Sequence, residues 1–543
     1  MAQEMILKLN EAGMTSLHKA GLAGLYMTLQ SFAENEEEIE GLKWQLGETE
    51  IKLNWTDETP KAAFEKLIKK SFWIDKEGFI RLAGLEVDDA MNKERKYLLY
   101  KAILRSFLQF GPIRKTESKR PLIFQADQDE KPYFEKGFAP LTKIPYHDIS
   151  NRFFDAEGRF NKQIEIKGWL HPGAIARHES HKETILRESA NLGLVLIFAI
   201  VGVIYYLIQS KGKGRKSLLA LLIPEVKDLE TYARVRQFIA SQGVFDLTAS
   251  SSSDAALRML IALKANSQSN QFAEELSEKF LCRVITFGIV SWNEKQKSRT
   301  ATRTVISGKL KGFENYQLAN SIFRNKWQQV KEKGKVPEYF FVTTFCAREM
   351  IADNIANGKT WYQNITEFLA NRETREQLYY ERKELGDMVE KANYETENES
   401  LFIKVCHESW RRRLGKLGTR ARTENTSFQN LARKEAEKLR TSYARCKNAE
   451  TLRETVVDFW SRGGANELLQ GDGLIQVLPL FSEKNWRKAK DLALLAWSAI
   501  NRKRKKKKKH LLPKRIRKEK IDNEQTLIWI SCYALRHSRQ QSR

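Results

Sequence analysis

The segment that most limits how this chain can fold is Leu192–Ile208, seventeen consecutive apolar residues followed by Lys211, Lys213, Arg215 and Lys216. Such a run must leave water, and hydropathy alone allows a short membrane helix with a basic flank. Its composition argues for strands, since seven of the seventeen residues are Val or Ile and three are Phe or Tyr. A second apolar run, Ser217–Ile223, ends at Pro224. Two apolar runs around Ser210-Lys211-Gly212-Lys213-Gly214 predict a buried hairpin with a basic tip. On these residues alone the membrane reading stays open beside the buried one.

The rest of the chain alternates between the two periodicities. From Ser16 to Phe32, Leu17, Leu22, Leu25 and Leu29 surround Ala20, Gly21, Ala23 and Gly24. Small residues let another backbone come close, so this helix is expected to be buried. Leu42, Trp44 and Leu46, then Ile51, Leu53 and Trp55, alternate around Gly47-Glu48-Thr49-Glu50 and predict a hairpin. Thr59-Pro60 opens a helix carrying Phe64, Leu67 and Ile68. Residues 88–109 read as a helix closed by Gly111-Pro112, and 111–150, with prolines at 112, 121, 132, 140 and 145, as a long connection. Helices are expected over 225–240 and 253–264, the second capped by serines 250–253. Val284–Trp292 and Lys297–Ile306 predict another hairpin, with Lys297, Arg299 and Arg303 on one face. From about residue 361 the pattern is almost wholly helical. At 543 residues there is too much chain for one ordinary core. The expected class is α+β: an N-terminal mixed α/β domain with β-hairpins (1–375), a C-terminal helical bundle (376–500) and a lysine-rich tail (501–543).

Charge separates these parts. Residues 401–543 hold 35 Lys and Arg against 14 Asp and Glu, whereas the other 400 residues hold 58 against 54. A surplus gathered at one end predicts a polyanion partner, with nucleic acid ahead of an anionic membrane. Phe428, Leu431, Ala432, Ala436, Leu439, Tyr443 and Cys446 share one helical face, and Arg433, Arg440 and Lys447 line its flank at seven-residue steps. Glu435 and Glu437 nearby make a solvated charged face the competing reading. Arg411-Arg412-Arg413, Lys416, Arg420 and Arg422 have no acid among them, which makes simple pairing within the helix impossible there and calls for an outside partner. The tail from Arg502 through Lys518 is more basic still, suited to any polyanion rather than to one.

Signals for catalysis are sparse. There is no P-loop, dinucleotide fingerprint or nucleophile elbow. His147-Asp148 is the dipeptide that metal-dependent phosphohydrolases use, but no companion ligands stand nearby in the sequence. His171, His178 and His181, with Glu179 and Glu183, lack the spacing of a zinc site, and Arg177 and Lys182 beside them suggest phosphate contact at most. Five scattered cysteines fit a reducing, cytoplasmic setting rather than a disulfide framework. The start, Met1-Ala2-Gln3-Glu4, is unlike a secretory signal. The expectation is a non-enzyme with no cofactor and no metal.

Several ordered motifs resemble one family. Ser16-Leu17-His18-Lys19-Ala20-Gly21-Leu22-Ala23-Gly24-Leu25 is similar to the opening of the large subunit of type I CRISPR surveillance complexes (Cascade), in the Myxan-type, type I-B-like branch. Lys167-Gly168-Trp169-Leu170-His171-Pro172-Gly173-Ala174 with Arg177-His178, and Ile223-Pro224-Glu225-Val226-Lys227-Asp228-Leu229, resemble its central motifs. Phe459-Trp460-Ser461-Arg462 and Trp486-Arg487-Lys488-Ala489-Lys490-Asp491-Leu492 resemble its end. Beyond about residue 500 the lysine tail departs from the family pattern.

The resemblance implies a non-catalytic subunit of an RNA-guided complex with no membrane segment, so that the apolar run becomes buried strands. Its α/β domain would sit at the foot of the complex and read the short duplex motif beside the target. Guide RNA would read sequence by pairing, while the bundle guides the displaced strand. Implied partners are guide RNA, target double-stranded DNA, the backbone and foot subunits, and a helicase-nuclease or transposition adaptor. Small subunits translated from an internal start, at Met388 or Met350, are a further implication. Phosphate contacts are then expected from Arg411, Arg412, Arg413, Lys416, Arg420, Arg422, Arg433, Arg440 and Lys447. Readers of the duplex motif are expected in Arg114, Lys115, Lys119 and Arg120, in Lys211, Lys213, Arg215 and Lys216, or in Lys297, Arg299 and Arg303. The rivals are a membrane-anchored basic protein spanning at 192–208 and a metal-dependent nuclease built on His147-Asp148.

Overall fold

The computed structural model describes residues 3–499 except 86–92, 109–119, 127–130, 167–168, 171–185, 210–217, 267–279, 292–296 and 331–338. The chain opens with β1 (Glu4–Lys8), α1 (Ser16–Glu34), β2 (Leu42–Leu46) and β3 (Glu50–Trp55). The predicted hairpin is present with Leu46 opposite Ile51, and β1 adds to its other side in the order β1-β3-β2. Next, α2 (Lys61–Ser71) buries Phe64, Leu67 and Ile68, as their spacing requires. Pro60 holds its cap position without a side-chain hydrogen bond. The short pair β4 (Phe72–Ile74) and β5 (Ile80–Leu82) leads to α3 (Lys93–Arg105).

The expected long connection is instead a sheet. Strands β6 (Arg120–Ala126) and β7 (Lys131–Phe138) pair antiparallel within it. Prolines 121 and 132, which suggested loop, each sit at the second residue of a strand; β6 is a sheet edge, where a missing N–H is tolerated.

The apolar run differs more sharply from expectation. Leu192–Ile208 is buried throughout, but only its end is a strand. Ala190–Ile197 (α4) and Ala199–Gly202 (α5) are helical, and β8 covers Ile204–Ile208. The Ser189 side chain accepts from the Leu192 N–H and starts α4. In a segment covered on all sides, Val and Ile content reports burial as much as strand, so composition misled. The hairpin itself is real: β8 pairs antiparallel with β9 (Leu218–Pro224). Among the described residues no helix is long and apolar enough to cross a membrane.

Helices α4 and α5 lie against α1 backbone to backbone. A Cβ on Gly21 would stand 2.2 Å from the Val195 carbonyl oxygen, and one on Gly24 2.1 Å from that of Phe198. Reciprocally, a Cβ on Gly202 would meet the Ala20 oxygen at 1.7 Å. The small residues of the first motif are therefore a packing requirement.

The sheet around β8 and β9 continues through α6 (Leu229–Ala240), β10 (Thr248–Ala249), α7 (Ser252–Ala265), β11 (Phe280–Ser291) and β12 (Lys297–Gly308), in the order β10-β8-β9-β11-β12. After α8 (Phe313–Ile322), strands β13 (Lys326–Val330) and β14 (Tyr339–Thr343) complete the sheet β13-β14-β7-β6. Helix α9 (Cys346–Ala356) carries Arg348, fully buried, whose Nε lies 3.0 Å from Asp254 of α7. Its other nitrogens reach the Phe323 carbonyl and the Asn325 side chain, and Tyr316 donates to Asp254 at 2.6 Å. This satisfied ion pair locks α7, α8 and α9 together; losing one partner would strand a charge in the core.

From Cys346 onward the described chain is helical: α10 (Ile365–Ala370), α11 (Arg372–Tyr380), α12 (Arg382–Lys391), α13 (Glu397–Thr423), α14 (Phe428–Arg445), α15 (Ala449–Gly463), α16 (Gly473–Val477) and α17 (Trp486–Ser498). The α+β class thus stands, with the mixed part first and the bundle last. Residues 1–500 form one compact unit.

Candidate nucleic-acid interface

An aromatic core sets the bundle. Phe402 of α13, Trp460 of α15 and Phe481 meet edge-on, and Phe459 lies against Trp410 and Tyr443. Phe459 and Trp460 of the fourth motif are therefore core. The fifth motif is a hub on α17. Lys488 Nζ lies 2.6 Å from both Glu395 and Glu399, at the start of α13. Lys490 donates to the carbonyls of Ala444 and Cys446 at the end of α14. Asp491 accepts from the Asn364 and Thr366 N–H groups and the Thr366 hydroxyl, capping α10. Burial pushes the Asp491 carboxyl above its ordinary range despite these donors. Three adjacent polar side chains thus fix the relative positions of three helices.

On that frame the predicted arginines sit differently from one another. Arg411 donates twice to Glu408, at 2.7 and 2.6 Å, and Arg412 donates to Glu408 at 2.6 Å and to Glu467 at 3.2 Å. Arg420 pairs with Glu424 at 2.8 Å. The expectation that this cluster cannot pair within its helix is wrong. The acids flank it one turn outside, at the i−3, i−4 and i+4 positions that face it. Hydrogen bonds from the Arg411 and Arg412 guanidiniums hold the Glu408 carboxyl down at about 2. Arg413 reaches Glu435 of α14 at 2.8 Å, with both partners about four-fifths covered, and acts as a staple between helices. Lys416 donates to the Arg462 carbonyl at the end of α15. Among the described residues Arg422 donates within its own helix, to the Gly418 carbonyl and the Thr419 hydroxyl.

Helix α14 buries Ala432 and Tyr443, with Cys446 just beyond, while Leu431, Ala436 and Leu439 are half-buried and Phe428 is exposed. Arg433 is exposed and has no ion-pair partner among the described residues, Arg440 is largely covered and pairs with Glu437 at 3.0 Å, and Lys447 is exposed past the helix end. The expected straight stripe is therefore interrupted. Lys434 and Lys438, one turn apart on α14, are also exposed without an ion-pair partner among the described residues, and they lie off the seven-residue spacing. The cations that can reach a polyanion at little cost are the exposed Arg422, Arg433, Lys434, Lys438 and Lys447, together with Arg411 and Arg420, whose exposed ion pairs add little stability and exchange readily.

Of the expected base readers, Arg120 is exposed at the start of β6, its guanidinium donating to the Glu77 carbonyl and standing 5.7 Å from the Phe138 ring. Lys297, Arg299 and Arg303 belong to the edge strand β12, opposite Ser291, Ile289 and Ile285. Arg114, Lys115, Lys119, Lys211, Lys213, Arg215 and Lys216 lie outside the described residues, as do His171, His178 and His181. Two resembling segments do converge: Ser16, Leu17 and Lys19 face Ile223–Val226 across a groove of about 480 Å³ that Arg283 and Thr304 also border. His147 and Asp148 serve local structure. The His147 ring contacts the Phe72 carbonyl at 2.8 Å, and Asp148 accepts from Asn151 and Arg152. Among the described residues no three His, Cys, Asp or Glu side chains are grouped so as to hold a metal.

An α/β body followed by a C-terminal helical bundle is a two-part architecture that comparison with known proteins assigns to a family. Residues 6–197 match the DevT N-terminal domain and residues 390–527 the DevT C-terminal domain. The chain is 24% identical over 518 residues to CRISPR-associated protein Cas8a1/Csx13 of Myxococcus xanthus (strain DK1622), covering 90% of this chain and 87% of that one. It belongs to the Cascade large-subunit family. The C-terminal match runs to residue 527, so the family pattern does not stop near 500 as expected.

Proposed function

We propose that this chain is the non-catalytic subunit through which a guide-RNA complex grips target DNA: its α/β body reads the motif beside the target, and its bundle steadies the opened duplex. The observation that carries this reading is the exchangeable cation set on α13 and α14, within residues 401–500, which hold 19 Lys and Arg against 11 Asp and Glu. Contacts of that kind position the sugar-phosphate backbone and leave sequence to base pairing. Its partners in this reading are guide RNA, target DNA, the other complex subunits, and a nuclease-helicase or transposition adaptor.

The test replaces Arg411, Arg420 and Arg433 together by Gln in the assembled complex. Target affinity should fall alike for all sequences, and the salt slope should flatten by about one for each phosphate that is no longer neutralised. Unchanged affinity at every salt concentration would reduce the arginines to a solvated face.

A separate small subunit is part of the proposal. Met388 is buried in α12, so a product starting there would lack Arg382–Asp387, the first half of that helix. Intact-mass measurement of the native complex should find this shorter chain or the one from Met350; its absence rejects the internal start.

A further inference from the structure

Helix α11 ends in two tyrosines that the fold does not cover. Tyr379 is 58% and Tyr380 78% exposed, and Tyr380 is the most exposed large apolar side chain among the described residues. Their backbone is nevertheless pinned. Leu378 before them is buried, and after them the buried Glu381 carboxylate accepts from the Cys346 and Ala347 N–H groups at 2.9 and 2.8 Å. An aromatic pair held rigidly in water contributes little to folding, because most of its apolar surface never leaves solvent.

The tyrosines border a groove of about 300 Å³ whose far wall is Trp497 of α17. Arg382 stacks between Tyr379 and Trp497, 4.8 and 5.2 Å from the two rings. The Tyr380 ring is perpendicular to that of Tyr379, at 87°, and its 78% exposure leaves most of the ring open to a flat partner. Two more guanidiniums line the same groove. Arg375 is fixed by donating Nη1 to the Leu369 and Ala370 carbonyls, both at 2.7 Å, which leaves its remaining donors uncommitted to those carbonyls. Arg372, 84% exposed, is held among the described residues by Glu376 of its own helix at 3.0 Å, an exposed pair that a phosphate displaces readily. Glu437, the other acid of the groove, is engaged by Arg440.

An open aromatic ring beside three arginines is what an unpaired strand requires, a base stacking on the ring and phosphates meeting guanidiniums. A duplex offers phosphates but keeps its base faces stacked inside. An apolar protein partner would cover the three cations without answering them. We propose that the α11–α17 groove is a stacking clamp for unpaired DNA, with Tyr380 as platform and Arg372 and Arg375 as phosphate ligands. This rests on the reading that the bundle steadies an opened duplex, and it adds a site separate from the arginines of α13 and α14.

The test measures fluorescence anisotropy of a thymidine homopolymer of about ten nucleotides, a length within one site size, and of a matched duplex, on the full-length chain. Tyr380→Ala should weaken homopolymer binding about tenfold, the effect of one lost base stack, and leave duplex binding unmoved. Tyr380→Phe, which keeps the ring, should bind the homopolymer like the parent. Parent-like homopolymer affinity in Tyr380→Ala, or an equal loss on the duplex, overturns the clamp. If Tyr380→Ala is silent while the triple Arg411, Arg420 and Arg433 variant weakens binding, only the clamp falls. If the full chain does not hold the homopolymer and the triple variant is also silent, both readings fall.

Discussion

Helices α1 and α14 are nearly equal in length, nineteen and eighteen residues, yet α1 buries thirteen of them and α14 two. The first is threaded through the body and touches α4 and α5 through glycine. The second lies along the bundle on a narrow apolar seam and shows solvent its charge. A buried helix is constrained at nearly every position by volume. A surface helix is constrained along one seam, and its remaining positions are free to serve binding. The contrast says where substitutions act: on folding at one end of the chain, on partners at the other.

The sharpest way to break this contrast is Gly24→Val. Backbone stands 2.1 Å from where its Cβ would be, so neither wall can yield by a side-chain rotation. A loss of roughly 3 kcal/mol or more is expected, read as lost soluble yield or a large drop in Tm. A near-parent Tm would show that α1 is not wedged as described.

A smaller effect is expected from His407 of α13, whose ring contacts the Ala496 carbonyl on α17 at 3.0 Å. Burial holds its pKa below the ordinary value. The folded chain therefore resists protonation that the unfolded chain accepts. The associated stability is complete above the unfolded value near 6.5 and is lost as pH falls through the folded one. Thermal melts between about pH 7 and 5 should show this loss, and His407→Gln should flatten it; identical pH slopes would remove the assignment. The smallest effect belongs to the triple Arg411, Arg420 and Arg433 variant, whose Tm should match the parent even where its DNA affinity does not.

How much of this was legible in the sequence follows the same division. Gly21, Ala23 and Gly24 announced close backbone packing, and the alternation from Leu42 to Trp55 announced its hairpin, because each pattern has one cheap physical solution. Leu192–Gly202 did not announce helix, since complete burial erases the polar side of either period. Strands β6 and β7 were hidden by prolines that a sheet edge and the start of a strand tolerate. The arginine cluster was legible as charge but not as pairing. Glu408 and Glu424 stand just outside the run of arginines, and Glu435 comes from another helix. Tyr379 and Tyr380 carried no signal at all, because exposure of an aromatic pair is decided by how α11 docks.

The carboxylates that answer Arg411, Arg412 and Arg420 give the bundle a built-in guard. At those three positions a single passing phosphate must compete with a local acid that is always present. If the bundle grips DNA as proposed, a long strand engaging many sites together would win that competition where a small anion would not.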